Sequence, residues 1–341
     1  MRKKVLLTGV TGFLGSHTAI QLLNKGYDVV GTVRSKDRII SIREIIAKYT
    51  ENIDNLTFAE ADLNNSNVWF ELTKTIDYIQ HIASPFPREL PKDENDLIIP
   101  AKQGTLNILR AASANNVKRV VMVSSIAAAV YGKTKTELNN VFNENDWTDE
   151  TNKNDTTPYF RSKVIAEKAA WEFMKRDNSN LQLTTVLPGA ILGTVLEKDF
   201  GTSANTVIKI LDGSSPALPK IGFDIVDVRS VADLLIKAME LPQAAGNRYI
   251  ASAGYMTFKE IAQILKQEYP HRKIPTKELP NFATRLFSIF EPSLKPILLE
   301  LGVKRLTENT KARRDLFWQP ISPQEAVIAC AKSVFENGIV K

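Results

Sequence analysis

Apolar residues in the first half of the chain fall into short continuous runs, separated by longer stretches with apolar positions every three or four residues. The runs "KVLLTG", "YDVVGTV", "LTFAEAD", "IDYIQHIA", "VKRVVMVSS" and "LQLTTVLP" are rich in β-branched residues and six to nine residues long. Continuous rather than alternating apolar character predicts strands buried on both faces, as in a parallel sheet. Between them, "GFLGSHTAIQLLNKG", "PAKQGTLNILRAASANN" and "TPYFRSKVIAEKAAWEFMK" repeat at the helical period. Strands alternating with helices predict an α/β fold with a doubly wound parallel sheet, its crossovers right-handed and its ligands beyond the carboxyl ends of the strands.

This regularity weakens after Pro188. Long polar or proline-bearing segments fill 133–157 and 213–222, and helical patterns return at 225–240, 257–268 and 323–337. The expected organisation is a sheet domain over 1–187, with 223–252 returning to it. A smaller, mostly helical substrate lobe over 188–341 is interleaved with that domain.

Composition narrows the class. The 341 residues are 43% hydrophobic and 24% charged, ordinary for a globular protein. No apolar run approaches the roughly 20 residues that span a bilayer, and "LLTG" is too short for the core of a signal peptide. A single cysteine, Cys330, rules out an intramolecular disulfide and suits a reducing cytoplasm. In "AVIACAKSVF" it reads as a small buried residue rather than a nucleophile. The net charge of +6 is spread along the chain, without the dense basic stripe and interleaved aromatics of a nucleic-acid surface. Three histidines, none clustered with cysteines or acids, argue against a metal site.

The first strand-to-helix turn carries Gly9, Gly12 and Gly15. Glycines at these places allow a tight turn, close approach of backbone to a pyrophosphate, and close helix–strand packing. The free N–H groups of the helix start then attract the phosphates. The sheet is therefore expected to be of Rossmann type and to bind a dinucleotide. The end of the second strand selects which one. NAD sites usually place an acid there for the ribose hydroxyls. Here "VVGTVRSKDR" has Thr32, followed by Arg34, Lys36 and Arg38. Cations hold a 2′-phosphate that a carboxylate would repel, so NADP(H) is the expected cofactor. Asp62 follows the third strand, where it faces the adenine or caps a helix.

A tyrosine with a lysine four residues on shares one helix face and could protonate a carbonyl. The spacing occurs four times: Tyr131–Lys135, Tyr159–Lys163, Tyr255–Lys259 and Tyr269–Lys273. Pro270 disfavours a helix through the last pair. Thr257 reads as an N-cap that leaves Tyr255 outside its helix. Gly132 and a polar run follow Tyr131. Only Tyr159 opens a sustained amphipathic helix, between the fifth and sixth strands. An ammonium at Lys163 would stabilise the phenolate and lower a pKa that is ordinarily about 10. Ser124 and Ser125, ending a buried strand, offer a hydroxyl for the substrate oxygen.

"TGVTGFLGSH", "VSS", "PYFRSK" and "LPGAILG", in this order, resemble the extended short-chain dehydrogenase/reductases. "GTVRS", "HIASPF", "FNENDWTD" and "TENTKARRDLFW" resemble more narrowly the dihydroflavonol 4-reductase-like branch, which includes methylglyoxal and cinnamoyl-CoA reductases. The resemblance covers nearly the whole chain. It implies a catalytic triad of Ser125, Tyr159 and Lys163, the second serine matching the family's position. Thr11, Phe13, Leu14, Arg34, Arg38, Asp62, Leu63, Ala83, Pro188, Ile191 and Ser203 would border the cofactor, with Lys163 on the ribose. Phe86, Ile126 and Tyr131 would line the substrate pocket. The family's asparagine before the serine strand finds no match in "PAKQGTLN", and "IAAAVYG" after Ser125 differs from the plant flavonoid reductases. The implied activity is NADPH-dependent reduction of a small aldehyde or ketone by a monomer or homodimer. The alternatives are a nucleotide-sugar epimerase or dehydratase of the same family, and a non-catalytic NADP-sensing protein.

Overall fold

A computed structural model describes residues 2–85, 93–198, 200–213, 217–290 and 297–341, with the side chains of 287, 289 and 290 left out. Seven parallel strands form the main sheet: β1 (Lys4–Thr8), β2 (Asp28–Val33), β3 (Leu56–Glu60), β4 (Tyr78–His81), β5 (Arg119–Val123), β7 (Gln182–Pro188) and β10 (Arg248–Ala251). Their order is β10-β7-β5-β4-β1-β2-β3. All six runs singled out by their apolar continuity are strands of this sheet. The order reverses beside β1, so the loops after β1 and β4 diverge and open a crevice at the carboxyl edge. Thr8 lies in register with His81 across that point.

Helices cover both faces. On one, α1 (Phe13–Asn24) packs on α7 (Val228–Glu240), with Leu22, Leu23, Leu234 and Leu235 in one core; α2 (Ile39–Ala47) adds Ile42 and Ile46 to it. On the other, α3 (Ser66–Leu72), α4 (Asn95–Ala114) and α5 (Pro158–Arg176) close over Trp69, Ile108 and Leu183.

The lobe contains more strand than the helical periodicity predicts. Residues 225–227, expected to begin a helix, belong to β9 (Gly222–Asp227), which lies between β8 (Ala190–Leu192) and antiparallel β11 (Gly254–Thr257). The "DIVD" run finds ladder partners on both sides, and Asp227 then caps α7 by accepting from Arg229 N at 2.8 Å. The helices α6 (Ala204–Leu211), α8 (Phe258–Glu268), α9 (Asn281–Phe290) and α11 (Pro323–Glu336) follow in the second half of the chain, whereas α10 (Thr310–Leu316) packs back on β10 and α7 of the main sheet. β12 (Leu306–Thr307) pairs with β6 (Val141–Phe142). Thr257 caps α8 with a full capping box, as its sequence predicts. Among the described residues no helix is long and apolar enough to cross a membrane.

Candidate active site

The turn after β1 is shaped by what its glycines must avoid. Gly9 has φ of +73°, and a Cβ there would lie 3.2 Å from Ala83 in the loop after β4. A Cβ on Gly15 would come 2.0 Å from the Gly9 carbonyl oxygen, so only glycine lets α1 sit this close to the strand. Gly12 is the N-cap of α1 and has no side chain to fill the helix start. Thr11 and Phe13 are half-buried at the turn, and Leu14 is buried behind it. The Thr8 hydroxyl accepts from Ile82 N at 3.0 Å and Ala83 N at 2.9 Å, leaving its own hydrogen for His81 Nδ1 at 3.0 Å. The imidazole is therefore neutral and protonated on Nε2. Burial and then the nearby Lys163 charge push it down to about 3. These bonds tie both walls of the crevice together and leave a cradle of backbone N–H groups that fits a pyrophosphate.

Next come the residues expected to meet the adenosine end of a dinucleotide. Thr32 is buried and accepts from Gly9 N at 3.3 Å, so the residue standing where an acid was sought braces the glycine turn. Arg34 is exposed just beyond β2. Arg38 donates to Glu197 Oε1 at 2.7 Å. Asp62 is exposed and accepts from Asn64 N at 2.7 Å, while α3 takes Asn65 as its N-cap. Leu63 packs under Gly104 of α4, and Asn107 donates to the Leu63 carbonyl at 2.9 Å. Asn107 is an asparagine in "PAKQGTLN" that sequence reading passed over; it fixes the loop carrying Asp62 and Leu63.

The third part lies where β5 ends over the start of α5. Thr157 caps α5, accepting from Phe160 N at 3.2 Å, and Pro158 occupies the first helical position. Tyr159 and Lys163 stand one turn apart, with the Lys163 ammonium 5.6 Å from the Tyr159 ring centre. The other three pairs take no such form: Tyr131 precedes a left-handed Gly132, Tyr255 lies in β11, and Tyr269 ends α8. Strand alternation sends the two serines apart. Ser125 is half-buried and hydrogen-bonds Tyr159. Ser124 is buried and donates to Glu167 Oε2 at 2.6 Å. Burial raises the Tyr159 phenol, against the lowering effect of the Ser125 bond. Burial lowers Lys163 to about 8.

Beneath this cluster lies a charge pair that the sequence did not announce. Glu167, fully buried, accepts from Thr185 Oγ1 at 2.7 Å and from Arg248 Nε at 2.8 Å as well as from Ser124. Arg248 also donates to the carbonyls of Glu144 and Asp146, and its guanidinium lies 3.6 Å from the Trp147 ring centre. The "FNENDWTD" loop is thereby clamped to β10. Glu167 repeats the Tyr159 and Lys163 face one turn further on, the one sequence signal that could have revealed it.

Of the remaining candidates, Pro188 ends β7, Ile191 lies in β8 and Ser203 caps α6 without a side-chain bond. Ile126 follows Ser125 and packs on the cluster around Val164. Tyr131 is buried, its ring stacked 3.8 Å from that of Phe160 and its hydroxyl bonded to Glu300. Phe86 lies outside the described residues.

Comparisons with known proteins bear on the same elements. The sequence model of the NAD dependent epimerase/dehydratase family matches residues 5–252. An oxidoreductase of Schizosaccharomyces pombe is 34% identical over 283 residues, 79% of this chain and 83% of its own length. The cinnamoyl-CoA reductase CAD2 of Medicago truncatula is 30% identical over 320 residues, 91% of this chain and 96% of its own. Among solved structures, yeast methylglyoxal/isovaleraldehyde reductase Gre2 complexed with NADPH is similar with a TM-score of 0.81. It is 26% identical, and the match covers 99% of this chain and 100% of that one.

Proposed function

The chain belongs to the NAD-dependent epimerase/dehydratase family of extended short-chain dehydrogenase/reductases, and we propose that it is an NADPH-dependent reductase of a small aldehyde or ketone. Its cofactor is NADP(H). The glycine turn and the first turn of α1 hold the pyrophosphate, and Arg34 and Arg38 take the 2′-phosphate. Thr32 at the end of β2 speaks against the ribose-gripping acid of an NAD-bound epimerase. Pro188, Ile191 and Ser203 border the nicotinamide, and Lys163 bonds its ribose. When bound, the reduced nicotinamide supplies the hydride.

The chain's own residues supply the rest. Ser125 holds the carbonyl oxygen and Tyr159 gives it a proton as negative charge develops there. Lys163 stabilises the phenolate left behind. A phenol kept protonated by burial is the right form for a proton donor, and the ammonium a turn away makes its loss tolerable. Ile126 and Tyr131 are assigned to the substrate side. The buried Cys330 thiol, pushed up to about 12 by burial, is chemically idle and suits a cytoplasmic enzyme.

What carries this reading is the Ser125–Tyr159 hydrogen bond with Lys163 one turn on, beside a glycine cradle. Tyr159→Phe should lower NADPH consumption with a panel of aldehydes, diketones and hydroxyketones by at least about 100-fold. NADPH binding, followed by fluorescence, should survive, and Tyr131→Phe should keep most of the activity. An inactive Tyr131→Phe beside an active Tyr159→Phe would assign the proton to the wrong tyrosine here.

A further inference from the structure

Between β8 and α6, the described residues 193–198 and 200–203 include Gly201, which lies against Phe13 of the glycine turn. A Cβ on Gly201 would come within 3.0 Å of the Phe13 ring. The start of the segment is fastened from below: His17 Nε2 donates to the Thr194 carbonyl at 2.8 Å, Val195 N donates to Ser333 Oγ at 2.8 Å, and Asn337 donates to the Val195 carbonyl at 3.0 Å. Beyond these anchors, Glu197 meets Arg38 on the far side of the crevice at 2.7 Å. The two side chains are 37% and 19% exposed for Arg38 and Glu197, so the pair is only partly screened by water.

A carboxylate on this guanidinium is electrostatically opposed to the cofactor assigned to it. A 2′-phosphate brings close to two negative charges and needs the same guanidinium, whose Nη2 Glu197 occupies. Fastening the strap does not require that partner, because its root is already held by His17, Ser333 and Asn337. We propose that Glu197 is a cofactor-specificity residue that competes with the 2′-phosphate for Arg38. It weakens NADP(H) selectively and leaves NAD(H) nearly untouched. The idea rests on the assignment of Arg38 to the 2′-phosphate. Its consequence is exchange: phosphate arrival displaces the Glu197 carboxylate from Arg38, and cofactor departure lets that carboxylate return.

Dissociation constants for NADPH and NADH, measured by fluorescence on wild type, Glu197→Gln, Arg38→Gln and the double variant, test it. Glu197→Gln keeps the shape of the side chain and removes its charge. It should tighten NADPH by about tenfold, the scale of one charge-assisted contact at a half-buried site, with NADH nearly constant. In the Arg38→Gln background the same change should have no effect on NADPH. The proposal is overturned if Glu197→Gln shifts NADPH and NADH in equal proportion, which is the behaviour of a pair that merely holds the strap. It is equally overturned if NADPH binding weakens. Should Arg38→Gln cost NADPH no more than NADH, the phosphate assignment of Arg38 falls first, and the competition falls with it.

Discussion

Lys163 has its ammonium lowered to about 8 by burial, while the Tyr159 phenol beside it is raised. The two titrations are therefore well separated, and the first to occur on raising pH is loss of the lysine charge. The protonated form is the one that can anchor a ribose and stabilise a phenolate. Accordingly kcat/KM for NADPH, which reports groups of the cofactor-free enzyme, should fall as pH rises through about 8. Lys163→Arg should carry that limb upward, since a guanidinium stays charged beyond pH 12. A limb found only above pH 10 in wild type would assign it to the tyrosine instead. At this scale the sequence was informative wherever a residue's role depends on near neighbours. Tyr159 and Lys163 are a turn apart, and an N-cap and an unbroken apolar stripe mark their helix. Arg38 and Glu197 are 159 positions apart, and no local pattern joins them. Glu167 looked like any helical carboxylate, because only the packing of α5 on the sheet decides that its face points inward.

Helix α5 acts as a rod that brings three charges or dipoles to one line. Tyr159 and Lys163 face the crevice, and Glu167 reaches three strands at once: Ser124 at the end of β5, Thr185 in β7 and Arg248 in β10. The serine that meets Tyr159 is thus positioned from behind by the serine that does not. Ser124→Ala removes one hydrogen bond to a buried carboxylate and loosens the strand end that carries Ser125. It should lower kcat by about tenfold through misplacement and leave KM for NADPH unchanged; an unchanged kcat would make the contact purely structural. Glu167→Ala strips the partner from a buried guanidinium, and should cost about 3–5 kcal/mol in denaturant unfolding. The strands were legible for the opposite reason to Glu167. A strand covered on both faces shows its burial in its own composition, whereas β9 read as the beginning of α7. Its last residues, Ile225, Val226 and Asp227, run straight into the helical period of α7, and only β8 and β11 as neighbours make them a strand.

The molecule as a whole is threaded so that its final third completes its first. The matched family segment ends at 252, yet the core of the nucleotide-binding sheet does not. Trp318, fully buried, donates to the Ser230 carbonyl at 2.9 Å, and Ala312 and Leu316 of α10 join the same core as Leu22 and Leu234. Arg305 donates to the Val130 carbonyl at 3.0 Å and pairs with Asp155, holding the polar segment that leads into α5. α11 closes over α6, α8 and β9 through Val327, Cys330 and Val334. Removing residues 253–341 would therefore expose the underside of α7 as well as the small sheet, and leave the Ser230 carbonyl without its buried donor. A chain ending at 252 should show no cooperative thermal transition and should bind a hydrophobic dye, whereas the full chain should show a cooperative transition that NADPH moves upward. A cooperative, NADPH-binding fragment would mean that the returning segment serves the substrate side alone. Trp318→Ala in the full chain separates the two cases. A loss of about 3–5 kcal/mol is expected if the tryptophan belongs to the sheet's core, together with weaker NADPH binding through the α1–α7 layer that shapes the glycine turn.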